Sequence, residues 1–257
     1  SKLQDAINQR VLRPYFQPIV DLKTLKIESF EALARWPLPD DVFIPPEDFI
    51  PLAEKSSLIL LLGDLMLETV CQQLKAFNSK AIDGFSIAVN ISSEQFTEAL
   101  VDRLDHLIFE YDLQPQQIGL EITESVAMKA IDSNLKLLEA FRARGHKISV
   151  DDFGTGYSSL AYLKRFPLDT LKIDRAFIQE LAPDTDDFII AKAIIDLGHS
   201  LGLKIVAEGV ETQAQLKLLQ ELGCDLGQGF YFQKASTGEM ISQCYERGLP
   251  LGRAQTL

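Results

Sequence analysis

Apolar and β-branched residues recur along this chain in short runs, separated by stretches in which apolar positions return every three or four residues. The runs with strand character are Tyr15–Val20, Lys26–Ala34, Phe85–Ile91, Ile118–Ile122, Lys147–Val150, Thr170–Ile173, Lys204–Ala207 and a less marked one near Gly229–Phe232. Between most of them lie helical patterns with recognisable ends. Ser92 with Gln95, Thr212 with Gln215 and Ser236 with Glu239 have capping-box spacing, in which two side chains satisfy free backbone N–H groups reciprocally. Gly145, Gly202, Gly223 and Gly248 each follow a helical stretch, where a left-handed residue closes the last turn.

Strands alternating with helices predict a mostly parallel sheet, because parallel neighbours need a long crossover. Eight strands in about 250 residues fit a closed barrel of the (β/α)8 type. One link departs from that pattern. Only Asp21 to Thr24 separates the first two strands, too short for a crossover, so these two form an antiparallel hairpin. The expectation is an α/β fold, a modified TIM (β/α)8 barrel with an antiparallel first strand. No low-complexity or Pro/Gly/Ser-rich linker interrupts residues 1–257, which read as a single domain.

Composition narrows the chemistry. The apolar fraction of 46% is ample for a core. The most apolar run, Leu58 to Leu62, is soon broken by Gly63 and Asp64, so no segment spans a bilayer. Ser1 to Arg13 is polar with charges of both signs, unlike a signal peptide. Cys71, Cys224 and Cys244 lack metal-type spacing and read as incidental thiols of a reducing compartment. A net charge of −12 and the lack of a Lys/Arg stripe argue against a DNA or RNA polymer as partner. A small anionic ligand is still admissible where bound cations reverse the local field. His106, His146 and His199 form no cluster, so carboxylates must carry any catalysis.

Acidic and polar residues gather where the strand runs end: Glu31, Asn90, Glu121 and Glu124, Asp151 and Asp152, Asp174, and Glu208 and Glu211. In a parallel barrel these ends converge on one face, where barrel active sites lie. Crowded carboxylates raise one another's pKa values unless cations neutralise them. Oxygen-only ligation suits Mg²⁺ or Mn²⁺ rather than Zn²⁺, and an aspartate shared by two ions suits displacement at phosphorus. Asp174 and Glu211 fit a helix cap or a solvated turn equally well. Lys172, inside an apolar strand, needs a partner, and the nearby acids supply one. Arg35 beside Trp36 reads either as a solvated side chain or as a phosphate clamp.

These residues fall in segments that resemble the EAL domain family, bacterial phosphodiesterases that open cyclic di-GMP to linear pGpG. The segments are Phe16-Gln17-Pro18-Ile19, Glu31-Ala32-Leu33-Ala34-Arg35-Trp36, Asn90-Ile91-Ser92, Glu121-Ile122-Thr123-Glu124, Asp151 to Ser159, Lys172-Ile173-Asp174, Ala207 to Glu211 and Gln228-Gly229-Phe230. Together they run from about Tyr15 to Lys234. The resemblance implies an antiparallel first strand, in agreement with the hairpin. It further implies that Glu31, Asn90, Glu121 and Asp151 hold one divalent cation, Mg²⁺ or Mn²⁺. Asp151 with Asp152 would bridge to a second. Glu208 would be the general base and Lys172 its partner in positioning water. Gln17, Leu33, Arg35 and Gln228 would contact substrate, and Glu124 would hold the loop from Phe153 to Ser159, which couples dimerisation to metal binding. Ala235 stands where the family often has proline, at one wall of the guanine pocket. Two other readings are a catalytically silent cyclic di-GMP receptor and a barrel acting on sugar phosphates or enolates. The family also implies a homodimer and a sensor, receiver or GGDEF domain in a longer parent. Ser1 in place of a methionine fits an excised domain of such a parent, located in the cytoplasm even where the parent is membrane-tethered.

Overall fold

A computed structural model describes residues 1–80, 84–154 and 160–247. Gly248 and most of the loop held by Glu124, residues 155–159, lie outside the described residues. The strands are β1 (Arg13–Asp21), β2 (Ile27–Pro37), β3 (Phe43–Ile44), β4 (Ile87–Asn90), β5 (Ile118–Thr123), β6 (Lys147–Phe153), β7 (Thr170–Ile173), β8 (Lys204–Ala207) and β9 (Leu226–Gly227). Their order is β1-β9-β8-β7-β6-β5-β4-β2-β3, and pairing of β1 with β2 closes an eight-stranded barrel, to which β3 is an appendage. β1 runs antiparallel to both its neighbours, as the short Asp21–Thr24 link requires. The remaining barrel pairs are parallel.

Period-two alternation explains the two layers of the core. On β5 to β8 the outward residues Leu120, Ile122, Ile148, Val150, Leu171, Ile173, Ile205 and Ala207 are buried under the helices and belong to the main apolar cluster. Burying each large aliphatic side chain of this kind contributes about 1.5–3 kcal/mol. The inward residues behave differently. Apart from a small separate cluster of Ile19, Val206 and Leu226, the interior of the barrel is built from small and polar side chains.

Three local expectations are corrected. The last strand is Leu226–Gly227, not Gly229–Phe232. The aromatic run at 230–232 imitates a strand, but the N–H groups of Phe232 and Gln233 both return to Gly229 O, forming a turn. A Cβ on Gly229 would stand 2.2 Å from Val210 O, so only glycine permits this close crossing of two backbones. Ser92 N–H and Oγ do bond Gln95 Oε1, yet they close a turn, and the helix starts at Glu98 after Thr97. Ser236 bridges to Phe16 instead of capping, and its helix starts at Gly238. Thr212 and Gln215 form the expected capping box, and Gly145 is the left-handed cap of helix Ile131–Arg144. Gly202 and Gly223, at φ +75° and +78°, likewise follow helix ends. No helix among the described residues is long and apolar enough to cross a membrane. Cys71 and Cys224 are buried free thiols, pushed by burial up to about 12.

His146, just before β6, is buried, with Nδ1 3.0 Å from Ile118 O and, among the described residues, no hydrogen-bond partner for Nε2. Burial holds its pKa below the ordinary value, against the opposing pull of the Ile118 carbonyl. A folded pKa depressed below the unfolded one favours the neutral ring. Its contribution to stability is therefore complete above the unfolded value of about 6.5 and is lost as pH falls below it. Urea midpoints at pH 7.5 and 5.5 should differ more for the wild type than for His146→Gln; equal differences would remove His146 as the cause.

Candidate active site

The same alternation that hollows the barrel aims its functional groups. Glu31, Leu33 and Arg35 share one face of β2, Asn90 ends β4, and Glu121 lies within β5. Asp151 and Asp152 lie on β6, Lys172 on β7 and Glu208 one residue beyond β8. Glu31 is thus in mid-strand rather than at a strand end, because β2 continues to Pro37. The register explains the cluster: Gln17 pairs with Glu31, Asn90 with Glu121, and Thr123 with Asp151.

At the centre stands Lys172, fully buried. Its Nζ lies 2.6 Å from Glu208 Oε1, 2.8 Å from Glu121 Oε2, 3.2 Å from Glu31 Oε2 and 3.5 Å from Asp151 Oδ1. Burial disfavours the ammonium, but Asp151, Glu121, Glu208 and Glu31 outweigh it and hold the pKa well above the usual lysine value. One cation cannot offset four carboxylates, and the consequences differ among them. Glu208 is pushed up to about 8 by burial, with Lys172 opposing and Asp151 and Glu31 reinforcing. Glu121 is raised well above its usual range, again first by burial. Glu31 moves down: burial opposes ionisation, but Lys172 and hydrogen bonds from Gln228 (2.7 Å) and Asn90 (2.6 Å) outweigh it.

Adjacent residues of a regular strand point to opposite faces, so Asp151 and Asp152 should not converge. They converge because the β6–β7 register slips between Val150 and Phe153, with Asp152 in the left-handed region at φ 56°. This is a bulge, a device that re-aims side chains beside active sites, and aspartate tolerates its backbone better than most residues. Burial, then Asp151 and Asp174, push Asp152 up to about 6.

Two carboxylate groups result, Glu31–Glu121–Asp151 and Asp151–Asp152–Glu208, each with ligand oxygens within 4.8 Å of one another. Asp151 belongs to both. Neither contains histidine or cysteine, so the donor set is hard oxygen and fits Mg²⁺-like cations. The excess negative charge around Lys172 is what such a cation would neutralise.

The remaining candidates divide. Gln17 and Gln228 are buried and joined by a 3.1 Å bond, Gln17 also donates to Gln233 O, and Gln228 Oε1 has no partner among the described residues. Leu33 is half-buried beside them, paired with Tyr15. Arg35 is half-buried and donates to Ala34 O, with no carboxylate within ion-pair distance among the described residues. Glu124 is buried at the first turn of helix Glu124–Met128 and accepts Gly154 N–H at 3.1 Å. Asp174 caps the short turn Arg175–Phe177 and also hydrogen-bonds the Asp152 side chain, whereas Glu211 is exposed, as a solvated turn residue would be. Sequence reasoning did not single out the small inward residues below the cluster, such as Ser29, Ser86, Ser149 and Thr170. The available signal was their position two residues, or four, before a site residue on the same strand.

The family model of the EAL domain matches residues 1–235. The chain is 45% identical over 240 residues to the bifunctional diguanylate cyclase/cyclic di-GMP phosphodiesterase MucR of Pseudomonas aeruginosa, covering 93% of this chain and 35% of that protein. It is 41% identical over 234 residues to the cyclic di-GMP phosphodiesterase NbdA of the same organism, covering 91% and 30% respectively. The chain therefore spans about a third of the length of these curated relatives. Among solved structures, the PaMucR phosphodiesterase in complex with c-di-GMP superposes with a TM-score of 0.89 at 45% identity, covering 93% of this chain and 98% of that one. The EAL domain of Mycobacterium smegmatis DcpA gives 0.77 at 31% identity, with 92% and 96% covered. The chain belongs to the EAL domain family.

Proposed function

We propose that this chain is a divalent-cation-dependent phosphodiesterase that opens cyclic di-GMP to linear pGpG. The observation that carries this reading is the convergence of Glu31, Asn90, Glu121, Asp151, Asp152 and Glu208 around one buried lysine, with Asp151 common to two carboxylate groups. Support comes from likeness to a c-di-GMP complex along nearly all of that relative's structure.

In this reading Glu31, Asn90, Glu121 and Asp151 would hold one divalent cation and Asp151 with Asp152 a second, Mg²⁺ or Mn²⁺ in each case. Cations at these positions supply charge compensation and water activation for displacement at phosphorus. Glu208 accepts the proton of the attacking water, and Lys172, 2.6 Å from its carboxylate, keeps that carboxylate aimed. The water oxygen bonds to phosphorus, the ribose 3′-oxygen leaves, and the ring opens. Gln17, Leu33, Arg35 and Gln228 bind the nucleotide: Arg35 offers a planar fork to phosphate, and Gln228 Oε1 is an acceptor still without a donor. Glu124 keeps the loop that follows Gly154 in place through the Gly154 amide.

The lengths of the relatives support a larger protein in which this domain, residues 1–257, is joined to a sensor, receiver or GGDEF domain; a cytoplasmic homodimer is what the family resemblance implies. Incubation with cyclic di-GMP and Mg²⁺ or Mn²⁺, followed by product chromatography, should yield pGpG, with Glu31→Ala lowering the rate at least a hundredfold. Nucleotide bound without pGpG formation in either metal would favour the receptor reading instead.

A further inference from the structure

Typical (β/α)8 barrels fill their interior with layers of bulky branched side chains. Here the half of the barrel below the acidic cluster is hollow. A cavity of about 310 Å³ opens at the N-terminal end of the strands and runs up to Glu121. Alternation dictates its walls. Ser29 precedes Glu31 by two residues, Gly119 precedes Glu121, Ser149 precedes Asp151 and Thr170 precedes Lys172, so each wall residue lies on the inner face directly beneath a site residue. Ser86, four residues before Asn90, completes the ring of hydroxyls.

Among the described residues, none of the hydroxyls of Ser29, Ser86, Ser149 and Thr170 has a hydrogen-bond partner in the protein, although Ser86 is over nine-tenths buried. Ser29, Ser149 and Thr170 are half-buried and all four residues line the cavity, so an occupant that both donates and accepts can pair with their hydroxyls. The rim carries charges of both signs: Lys204 pairs with Glu28 at 2.8 Å and Arg142 with Asp169, and Lys147 adds one further cation. Water fits: the hydroxyls face Ile19, Val206 and Leu226 across a lining that is part polar and part apolar, and the space holds several molecules of about 30 Å³ each.

We propose that this shaft holds a hydrogen-bonded water column that ends on Glu121 and supports its carboxylate from below, on the side opposite the nucleotide. Among the described residues, Glu121 receives a side-chain hydrogen bond from Lys172 alone. The column supplies the further donors that orient a ligand carboxylate, a task usually done by protein groups. Ser149 is the residue through which to test this, because it pairs in register with Glu121 and its side chain lies in the cavity. The inference rests on the reading that the acidic cluster holds cations.

The experiment is calorimetric titration of the nucleotide-free protein with Mn²⁺, for the wild type, Ser149→Ala and Ser149→Leu, beside a high-resolution crystal structure of the wild type. Ser149→Leu, which fills the shaft, should weaken Mn²⁺ binding about tenfold. Ser149→Ala, which leaves room for water, should stay within about twofold. The crystal structure should show ordered water from Ser86 to Glu121. A dry shaft, or Ser149→Leu binding Mn²⁺ like the wild type, would overturn the proposal and leave the phosphodiesterase reading intact. A wild type that takes up no Mn²⁺ would overturn both. Should Ser149→Leu fail to fold, the smaller Ser149→Val carries the same expectation.

Discussion

Replacing Lys172 with methionine should destabilise the metal-free protein by about 3–5 kcal/mol at pH 8, the cost of removing one partner from a buried ion cluster. Methionine retains the length and apolar stem of the side chain, so the loss is electrostatic. Without the ammonium, Glu31, Glu121, Asp151 and Glu208 face one another with no positive charge among them. Two further results follow from the same cause. The deficit should shrink as pH falls, because protonation relieves the repulsion, and Glu121 and Glu208 are both already raised in the intact cluster, Glu208 to about 8. It should also shrink on adding Mg²⁺ or Mn²⁺, which replaces the missing charge. Urea denaturation at pH 8 and pH 6, with and without Mn²⁺, measures all three. A variant as stable as the wild type without metal would mean that the cluster is already largely protonated and that Lys172 is not its counter-ion.

The second large effect is on turnover. Glu208→Gln should lower kcat by about a thousandfold, within the range that positioned general bases contribute. Glutamine keeps the shape and still offers Lys172 an oxygen, but its amide cannot take a proton from water. The thermal midpoint should therefore stay near that of the wild type, and nucleotide affinity with it. Initial rates at saturating cyclic di-GMP and Mn²⁺, beside a binding isotherm for the same variant, separate the two. Near-normal turnover would remove Glu208 from the role of base. Loss of affinity in proportion to rate would make it a ligand-holding group.

The contrast between these residues shows what could be read in advance. Lys172 is conspicuous in one dimension, since a lysine between Leu171 and Ile173 must be buried and must be paired. Which acids pair with it depends on register, on Glu31 and Glu121 lying inside their strands rather than at the ends. The Asp151–Asp152 pair was visible as a doublet, but regular alternation sends only one of the two inward. Their joint aim comes from a bulge against β7, a property of strand pairing that no local spacing encodes. The aromatic run Phe230-Tyr231-Phe232 misled for a similar reason. Its strand-like composition is overridden by the crossing of Gly229 over Val210, and the pairing falls to Leu226–Gly227.

The sequence by itself determined the alternation of short apolar strands with helices, the hairpin forced by a four-residue link, the restriction to carboxylate chemistry in a chain almost without histidine, and the ordered motifs of the EAL family. These are local or additive properties, set by side-chain periodicity, chain reach and composition. Only the tertiary structure decided that four carboxylates share a single lysine, that Asp151 belongs to two oxygen groups, and that the barrel beneath them is hollow. Each depends on register between strands distant in sequence, where a slip of one residue turns an inward group outward.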